Sequence, residues 1–460
     1  MMIEGISFLF FEMSSPISKE DQFAAWYETM LEDGEVVDKR YPVKGMPVWR
    51  PYGWFLHSSI MELIEKQWTL QGIEKVQFPL CIPEFYLRQE ESHIEGFKAE
   101  CFWTTKGGDK DLDVPLALRP TSETAMYNMF SLWVRSFRDL PLKVHQTCSV
   151  YRHETKNTRP LIRVREIPWN EAHTCHATKE DALENLRMAW GGYKRVIEET
   201  LGFTGLILTR PDWDRFGGGE CSEVMDTIMP CGRVLQTVGA HYLGQKFAKA
   251  CDIKYLDEKN EFQHVWMTCY GVSTRLLAAT LAVHGDDTGF ILPPAIARYQ
   301  VVVVPIIMKK KDSEVVFARC EEIMKDLQEA SIRATLDRSD QKPGAKFFHW
   351  EMKGVPLRIE VGPRDVKNGC SMFAPRLGGR AAKHIVKNED MIGEVKKELD
   401  LMLVKLRERG FKFHSDRVTF CETIEEVKEA IEKKGGFARV PFFSMSFDCQ
   451  DADDEMRTHW

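Results

Sequence analysis

The chain has 460 residues, 43% of them hydrophobic and 28% charged, with a formal net charge of −7. That length exceeds one compact domain, at roughly 100–200 residues per domain, and the composition excludes a mostly disordered chain, a collagen and a coiled-coil rod. The acidic balance excludes a general nucleic-acid coat while leaving room for a local basic face.

The first 17 residues read as an extension. Its apolar run Ile6–Phe11 lacks the positive flank and cleavage site of a secretory signal. Residues 18–32 read as a helix with Ser18 as N-cap. Apolar residues at helical spacing (Ile60, Leu63, Ile64, Trp68) predict a long amphipathic helix over 52–70, running into a strand at Val76–Phe78 that Pro79 ends. Val144–Arg152 and Leu161–Ile167 read as a hairpin with a basic loop, 153–160. Further along come a helix at 179–201, strands at 206–209, 224–229 and 233–238, and an apolar helix at 272–284 opened by Gly271. Many antiparallel strands with helices packed on them predict an α+β domain over 18–294.

The pattern changes at Pro293-Pro294. Strands near 299–307, 333–336 and 356–361 alternate with helices at 314–330 and 346–352, and a helix near 389–408 follows, so 295–410 reads as a separate α/β domain. Residues 411–460 read as a short α/β tail. No segment approaches 18 unbroken apolar residues, so no membrane span is expected. Twelve scattered cysteines without a C-x-x-C pair predict neither a zinc ribbon nor a redox motif, and suit a cytoplasmic protein with reduced thiols.

Five constellations could carry chemistry. In Arg119-Pro120-Thr121-Ser122-Glu123 the residues serve equally as a helix cap or as part of a site. Arg152 and Glu154, with Lys156, Arg159, Arg163 and Arg165, suit a polyphosphate, because guanidinium groups grip phosphate oxygens in pairs; a ladder of surface ion pairs is the competing reading. Trp169, Glu171 and His173 share one face of a strand, as a wall for a small cation or as a half-buried strand with a satisfied histidine. Gly271 followed by Arg275 places a helix N-terminus beside a cation, which suits a terminal phosphate or an ordinary helix start. The stretch 346–365 mixes charge and aromatics as a reader of unpaired bases does, and as a packed surface also does.

In order, these strings resemble the three motifs of class II aminoacyl-tRNA synthetases. The strings VKGMPVWRPYG (43–53), LALRPTSET (116–124), VYRHETKNTRPLIRVREI (150–167), EAHTCHAT (171–178), TCYGVSTR (268–275), HGDDTGFILPP (284–294) and WEMKGVPLRIEVGPRD (350–365) are similar to those of prolyl-tRNA synthetases of the archaeal and eukaryotic type. The resemblance runs from about residue 20 to about 440. It implies a six-stranded antiparallel catalytic sheet, an α/β anticodon-binding domain, and a homodimer built partly through the 52–79 segment. It also implies ATP and Mg2+ as cofactors, proline and tRNA(Pro) as partners, and formation of prolyl-adenylate followed by transfer to the tRNA 3′ end.

The resemblance carries roles to individual residues. Arg152 and Arg275 would hold the α- and γ-phosphates as the catalytic cations. Glu154 would meet the adenine amino group, Arg163 the phosphates, and Gln236 the ribose or its water. Thr121 and Glu123 would take the proline amine, with Arg152, Trp169, Glu171, His173 and His241 around the ring. Glu351, Arg358 and Arg380 would read the anticodon. Three departures stand out: Gly239 in place of a threonine, Cys221-Ser222 in place of an aromatic–threonine pair, and Phe443 in place of a tail cysteine. The tail therefore reads as reduced, with Cys421 and Cys449 too few for a structural zinc site, and no metal ligands are assigned. The interval from Arg165 to Gly271 is too short for a cis-editing insertion. The alternatives are a non-catalytic paralogue that binds tRNA or regulates, or an adenylating enzyme for another small amino acid.

Overall fold

A computed structural model describes residues 17–89, 101–154 and 156–441. The extension's apolar run, Phe443, Cys449 and Trp460 lie outside these. Helix α1 (Phe23–Asp33) and helix α2 (Pro51–Leu70) come first. Proline suits the first turn of α2 because its missing N–H has no helical partner there. The central sheet has seven strands: β1 (Glu74–Lys75), β2 (Leu142–Tyr151), β3 (Glu166–His176), β4 (Leu206–Thr209), β5 (Cys221–Ile228), β6 (Val234–Gly244) and β7 (Trp266–Ser273). Their order is β1-β2-β3-β7-β6-β5-β4. Six strands run antiparallel, and β1 adds a short parallel edge.

Alternation along the strands divides this sheet into two faces. Ala172, Tyr270, Val272, Val238 and Ala240 turn into a core with Leu56, Ile60 and Trp68 of α2. Tyr193 of helix α4 (Lys179–Lys194) and Leu277 of helix α5 (Thr274–His284) complete that layer. The residues between them face a cavity on the other side. Helix α3 (Glu123–Trp133) closes one flank through Tyr127 and Phe130, which pack on Phe78 and Phe247. A three-stranded sheet of Cys81–Pro83, Phe102–Gly107 and Lys110–Leu118 precedes α3 and was not anticipated from the sequence.

Several expected elements are displaced, each for a local reason. Ser18 does not cap α1. Its hydroxyl accepts from the Asp21 N–H in a preceding turn, while Lys19 is tied to Asp287 and to the Val283 and Gly285 carbonyls. The Val76–Phe78 strand reduces to Glu74–Lys75, because the Phe78 N–H is taken by the Gln146 side chain rather than a neighbouring strand. The second hairpin strand starts at Glu166 instead of Leu161, since Leu161 adopts a left-handed φ of 62° that no strand accepts. Gly271 does not open a helix. It pairs with Glu171 and Gly239 inside β7, and α5 begins at Thr274, capped by Ser273.

The second domain carries a five-stranded sheet. Its strands are β8 (Val301–Pro305), β9 (Ala334–Leu336), β10 (Leu357–Val361), β11 (Cys370–Pro375) and β12 (His384–Lys387), in the order β9-β8-β10-β11-β12. Helices α6 (Ser313–Glu329), α7 (Pro343–Met352) and α8 (Met391–Ser415) accompany it. Helix α8 outruns its expected end near 408. Gly410 lets it press on the first domain, where a Cβ would stand 2.3 Å from the Gly202 carbonyl oxygen. The tail forms a parallel β-α-β unit from Val418–Phe420, Ile424–Lys434 and Phe437–Arg439. Between the domains, Arg376 grips both carboxylate oxygens of Asp286 at 2.7 and 2.9 Å. Among the described residues, no helix is long and apolar enough to cross a membrane.

The fully buried Trp68 donates to Asn170 Oδ1 at 2.7 Å, linking α2 to the middle of β3. Trp68→Phe is expected to lower unfolding stability by about 2–4 kcal/mol, from lost volume plus an unpartnered buried amide oxygen. Chemical denaturation monitored by circular dichroism measures it.

Candidate active site

The polar face of the sheet is organised in rows by its register. One row runs His173–Cys269–His241–Ser222 across β3, β7, β6 and β5. The next runs Gln146–Glu171–Gly271–Gly239–Val224. Trp169 and Ser273 begin a third. Above these rows lies a cavity of about 460 Å³. All of the expected catalytic-domain residues line it: Thr121, Glu123, Arg152, Glu154, Arg163, Trp169, Glu171, His173, Gln236, His241 and Arg275.

One end of the cavity is built around a buried carboxylate. Glu171 is 3% exposed. Its Oε1 accepts from Gln146 Nε2 at 2.8 Å and from the Ser122 hydroxyl, and its Oε2 lies 3.1 Å from His173 Nε2. The Tyr127 hydroxyl lies 3.0 Å from His173 Nδ1. Burial pushes the Glu171 pKa up, but His173, Ser122 and Gln146 outweigh it and hold the group below the ordinary carboxylate value. Burial likewise lowers His173, but its bond to Glu171 and the charges of Glu123 and Glu171 carry it above the ordinary imidazole value. Both shifts favour the charged forms of the two partners. Glu123, at the start of α3, adds a second buried carboxylate that accepts from the Thr121 hydroxyl.

The other end is cationic. Arg275, at the second residue of α5, donates from Nε to the Ile162 carbonyl at 2.9 Å. Burial, then the repulsion of Arg152 and Arg163, hold its pKa below the ordinary guanidinium value. Arg163 lies 3.5 Å from Glu154. Arg152 donates to the Pro120 carbonyl at 3.1 Å and lies 6.0 Å from the centre of the Trp169 ring. Three guanidinium groups with one nearby carboxylate form an anion-binding field.

His241 separates the two ends. Burial, then the charge of His173, push it down to about 4, so it is a neutral imidazole. Its Nδ1 lies 2.9 Å from the Ser222 hydroxyl, and its ring stacks on Phe216 at 4.7 Å. Phe216 was missed by the sequence reading, which named Ser222 only as a departure and Cys269 only within the string 268–275, and which gave no site role to Ser222, Gln146 or Cys269. The register supplies the absent signal, because each of the last three belongs to a row that only strand pairing reveals. Cys221 was expected beside the cavity. It instead packs on the core side, because alternation turns Ser222 inward. A Cβ at Gly239 would stand 3.1 Å from His241 Nε2 and 3.2 Å from Gln236 Nε2, so the bare glycine leaves space that these two side chains use.

In the second domain Glu351 and Arg358 are brought together at 2.9 Å. Arg358 also binds Glu360 at 3.0 Å and lies over the Phe347 ring at 4.0 Å. Arg380 is exposed on the turn Gly379–Ala382. The nearby Lys383 reaches Glu360 at 2.6 Å.

Residues 102–284 match the family described as tRNA synthetase class II core domain (G, H, P, S and T), and residues 300–398 match an anticodon binding domain. The chain is 44% identical over 423 residues to the proline–tRNA ligase of Pyrococcus abyssi, covering 92% of this chain and 87% of that one. It is 45% identical over 424 residues to that of Thermococcus kodakarensis, with the same coverage. The Giardia lamblia prolyl-tRNA synthetase structure, solved with prolyl-adenylate, superposes with a TM-score of 0.94 at 46% identity, covering 96% of this chain and 92% of that one. The Cryptosporidium parvum prolyl-tRNA synthetase structure, solved with halofuginone and AMPPNP, gives 0.89 at 30% identity, with 96% and 88% covered. With a class II core, an anticodon-binding domain and this degree of identity along its length, the chain belongs to the prolyl-tRNA synthetase family.

Proposed function

We infer that this chain is a proline–tRNA ligase that activates proline with ATP and charges tRNA(Pro). The observation that carries the reading is the two-ended cavity, with paired acids and an imidazolium at one end and three arginines at the other. In the first step a carboxylate oxygen of proline bonds to the α-phosphorus of ATP, and the bond to the bridging oxygen breaks. Pyrophosphate leaves and prolyl-adenylate remains. In the second step a ribose hydroxyl at the tRNA 3′ end attacks the prolyl carbonyl, and AMP departs.

The proline ammonium sits against Glu123 and Thr121, beside the Glu171–His173 pair, with Trp169 and Phe216 flanking the ring. Arg152 bridges the proline carboxylate and the α-phosphate, where charge grows in the transition state. Arg275 and Arg163 hold the outer phosphates, Glu154 the adenine amino group, and Gln236 the ribose. No covalent intermediate with the enzyme is needed. Positioning the two reactants and neutralising charge supply the rate. Neutral His241 shapes the pocket without adding repulsion to the ammonium. Magnesium would enter with ATP. Glu154 lies beside Arg163, so with few free carboxylates among the arginines the phosphates would be the ion's main ligands.

Glu351, Arg358 and Arg380 form the anticodon-reading set, supported by the stacked Phe347 and the polar network around Glu360. The exposed Trp54 and Leu70 on α2 support a homodimer through that segment. A cytoplasmic location is proposed from the scattered cysteines without a paired motif.

The decisive experiment is ATP–pyrophosphate exchange across the twenty amino acids. Exchange with proline far above the rest is expected; no exchange by folded protein would favour a non-catalytic paralogue. Arg275→Ala is expected to slow exchange by about 10²–10³-fold. Arg358→Ala is expected to leave exchange intact and raise the KM for tRNA, since a base contact is worth about 1–3 kcal/mol. For the Glu171–His173 pair the sign follows from the two shifts. The raised His173 pKa gives stability that is full below 6.5 and lost as pH rises through its folded value. The lowered Glu171 pKa gives stability present above 4.5 and lost as pH falls through its folded value. The stability gap between wild type and His173→Gln should therefore be widest between those limits and close toward alkaline pH, as followed by melts across pH.

A further inference from the structure

Amine recognition explains the two carboxylates of the pocket but not the thiol between the strands. An ammonium group needs oxygen acceptors, and a thiol is a weak one. Cys269 is 4% exposed, lies at the centre of β7, and pairs in register with His173 on one side and His241 on the other. One ligand atom each from Glu123, His173 and Cys269 lie within 4.8 Å of one another, and all three residues are buried. We propose that these three side chains form a divalent metal site for a zinc-class cation, which competes with proline for the pocket.

The chemistry of the set supports a borderline-soft ion over a hard one. Sulfur, nitrogen and oxygen donors together suit zinc, whereas magnesium and calcium take oxygen alone. Around a tetrahedral zinc the ligand atoms stand about 3.3–3.8 Å apart, so a side-chain movement of about 1 Å closes the set. Three protein ligands leave a fourth position, facing the cavity. The supporting shell is present. Tyr127 holds one nitrogen of His173, as ligating histidines require, and Thr121 orients Glu123. The ligands come from β3, β7 and the start of α3, three elements fixed by the core, so the backbone is already in place and only side chains must move. On binding, His173 exchanges its Nε2 contact with Glu171 for the metal and gives up the proton it carries there, Cys269 coordinates as thiolate, and both protons pass to solvent. The metal and the proline ammonium would share Glu123, so one excludes the other. That exclusion, unlike the metal site itself, rests on the placement of the proline amine given above.

The test is a cobalt(II) titration of the full chain, reading the thiolate-to-cobalt charge-transfer absorption. Cys269→Ser and Cys269→Ala serve as variants, each checked for native circular dichroism. One equivalent of absorption present in wild type and missing from both variants is expected. Equal absorption in wild type and either folded variant overturns the site. Proline is expected to abolish the Cys269-dependent absorption, and zinc to raise the apparent proline KM about tenfold at ten times its Kd with kcat unchanged. Cobalt absorption that persists under proline, in enzyme that still exchanges pyrophosphate with proline, overturns the exclusion alone. Absent proline exchange in metal-free enzyme would instead refute the ligase reading.

Discussion

A carboxylate placed in the interior must be paired and fully bonded or it will not stay ionised. Glu171 sets that requirement here, and much of the active-site architecture answers it. Gln146 must come from the adjacent strand, Ser122 from the turn before α3, and His173 from two residues along the same strand. These partners fix β2 against β3 and bring the start of α3 onto the sheet, which delivers Thr121 and Glu123 to the same end. Tyr127, one turn into α3, then locks the far nitrogen of His173. Trp68 secures the neighbouring Asn170 from the opposite face. A residue pair that lines the cavity is thus held by four separate elements, each anchored in the core.

The cationic end follows the opposite logic. Arg152, Arg163 and Arg275 are brought together with too few acids to neutralise them, and Arg275 is strained electrostatically by the other two. The cost is carried by backbone anchors. Arg275 is tied to the Ile162 carbonyl, Arg152 to the Pro120 carbonyl, and the intervening loop is pinned by Thr274 donating to the Leu161 carbonyl at 2.8 Å. Carbonyl partners orient a guanidinium without cancelling its charge. The field stays available to an anion, and preorganised charge of this kind is where phosphoryl-transfer enzymes gain most of their rate.

Sequence reading located the chemistry better than the backbone. The eleven expected side chains of the first domain converge because their motifs fall on strands and helix starts whose order the chain dictates. What escaped was decided by tertiary contacts. Leu161 looks like a strand residue by composition, yet it sits at a positive φ because Arg159, Arg163 and Thr274 bond around it. Gly271 looks like a helix opener, yet it is a ladder residue of β7, paired with Gly239 on the cavity floor. Ser222, Gln146 and Cys269 were given no role of their own by their motifs. They enter the site because strand register sets them opposite His241, Glu171 and His173. In the second domain Glu351 and Arg358 do meet, while Arg380 is exposed on its turn, where its carbonyl accepts from the Lys383 N–H.

Helix α5 joins these two regions physically. Its first turn carries Arg275 to the cationic end of the cavity, and its last residue, His284, bonds the Leu201 carbonyl at 2.7 Å. Two residues further on, Asp286 is clamped by Arg376 from the end of β11, and Arg376 Nε also reaches the Glu351 carbonyl at 3.3 Å. Eleven helical residues span about 16 Å, so one rigid rod separates the clamp from Arg275. The Gly289–Gly354 contact tightens this seam. A Cβ on Gly289 would stand 2.4 Å from the Met352 Cα, and one on Gly354 would stand 2.6 Å from the Phe290 carbonyl carbon. Glycine at both positions lets two backbones touch where side chains would hold the domains apart. The relative placement of anticodon domain and active site is therefore set by backbone contact and a half-buried ion pair rather than by a flexible linker, and any shift at Glu351 must be absorbed at that seam or passed to the helix that holds Arg275.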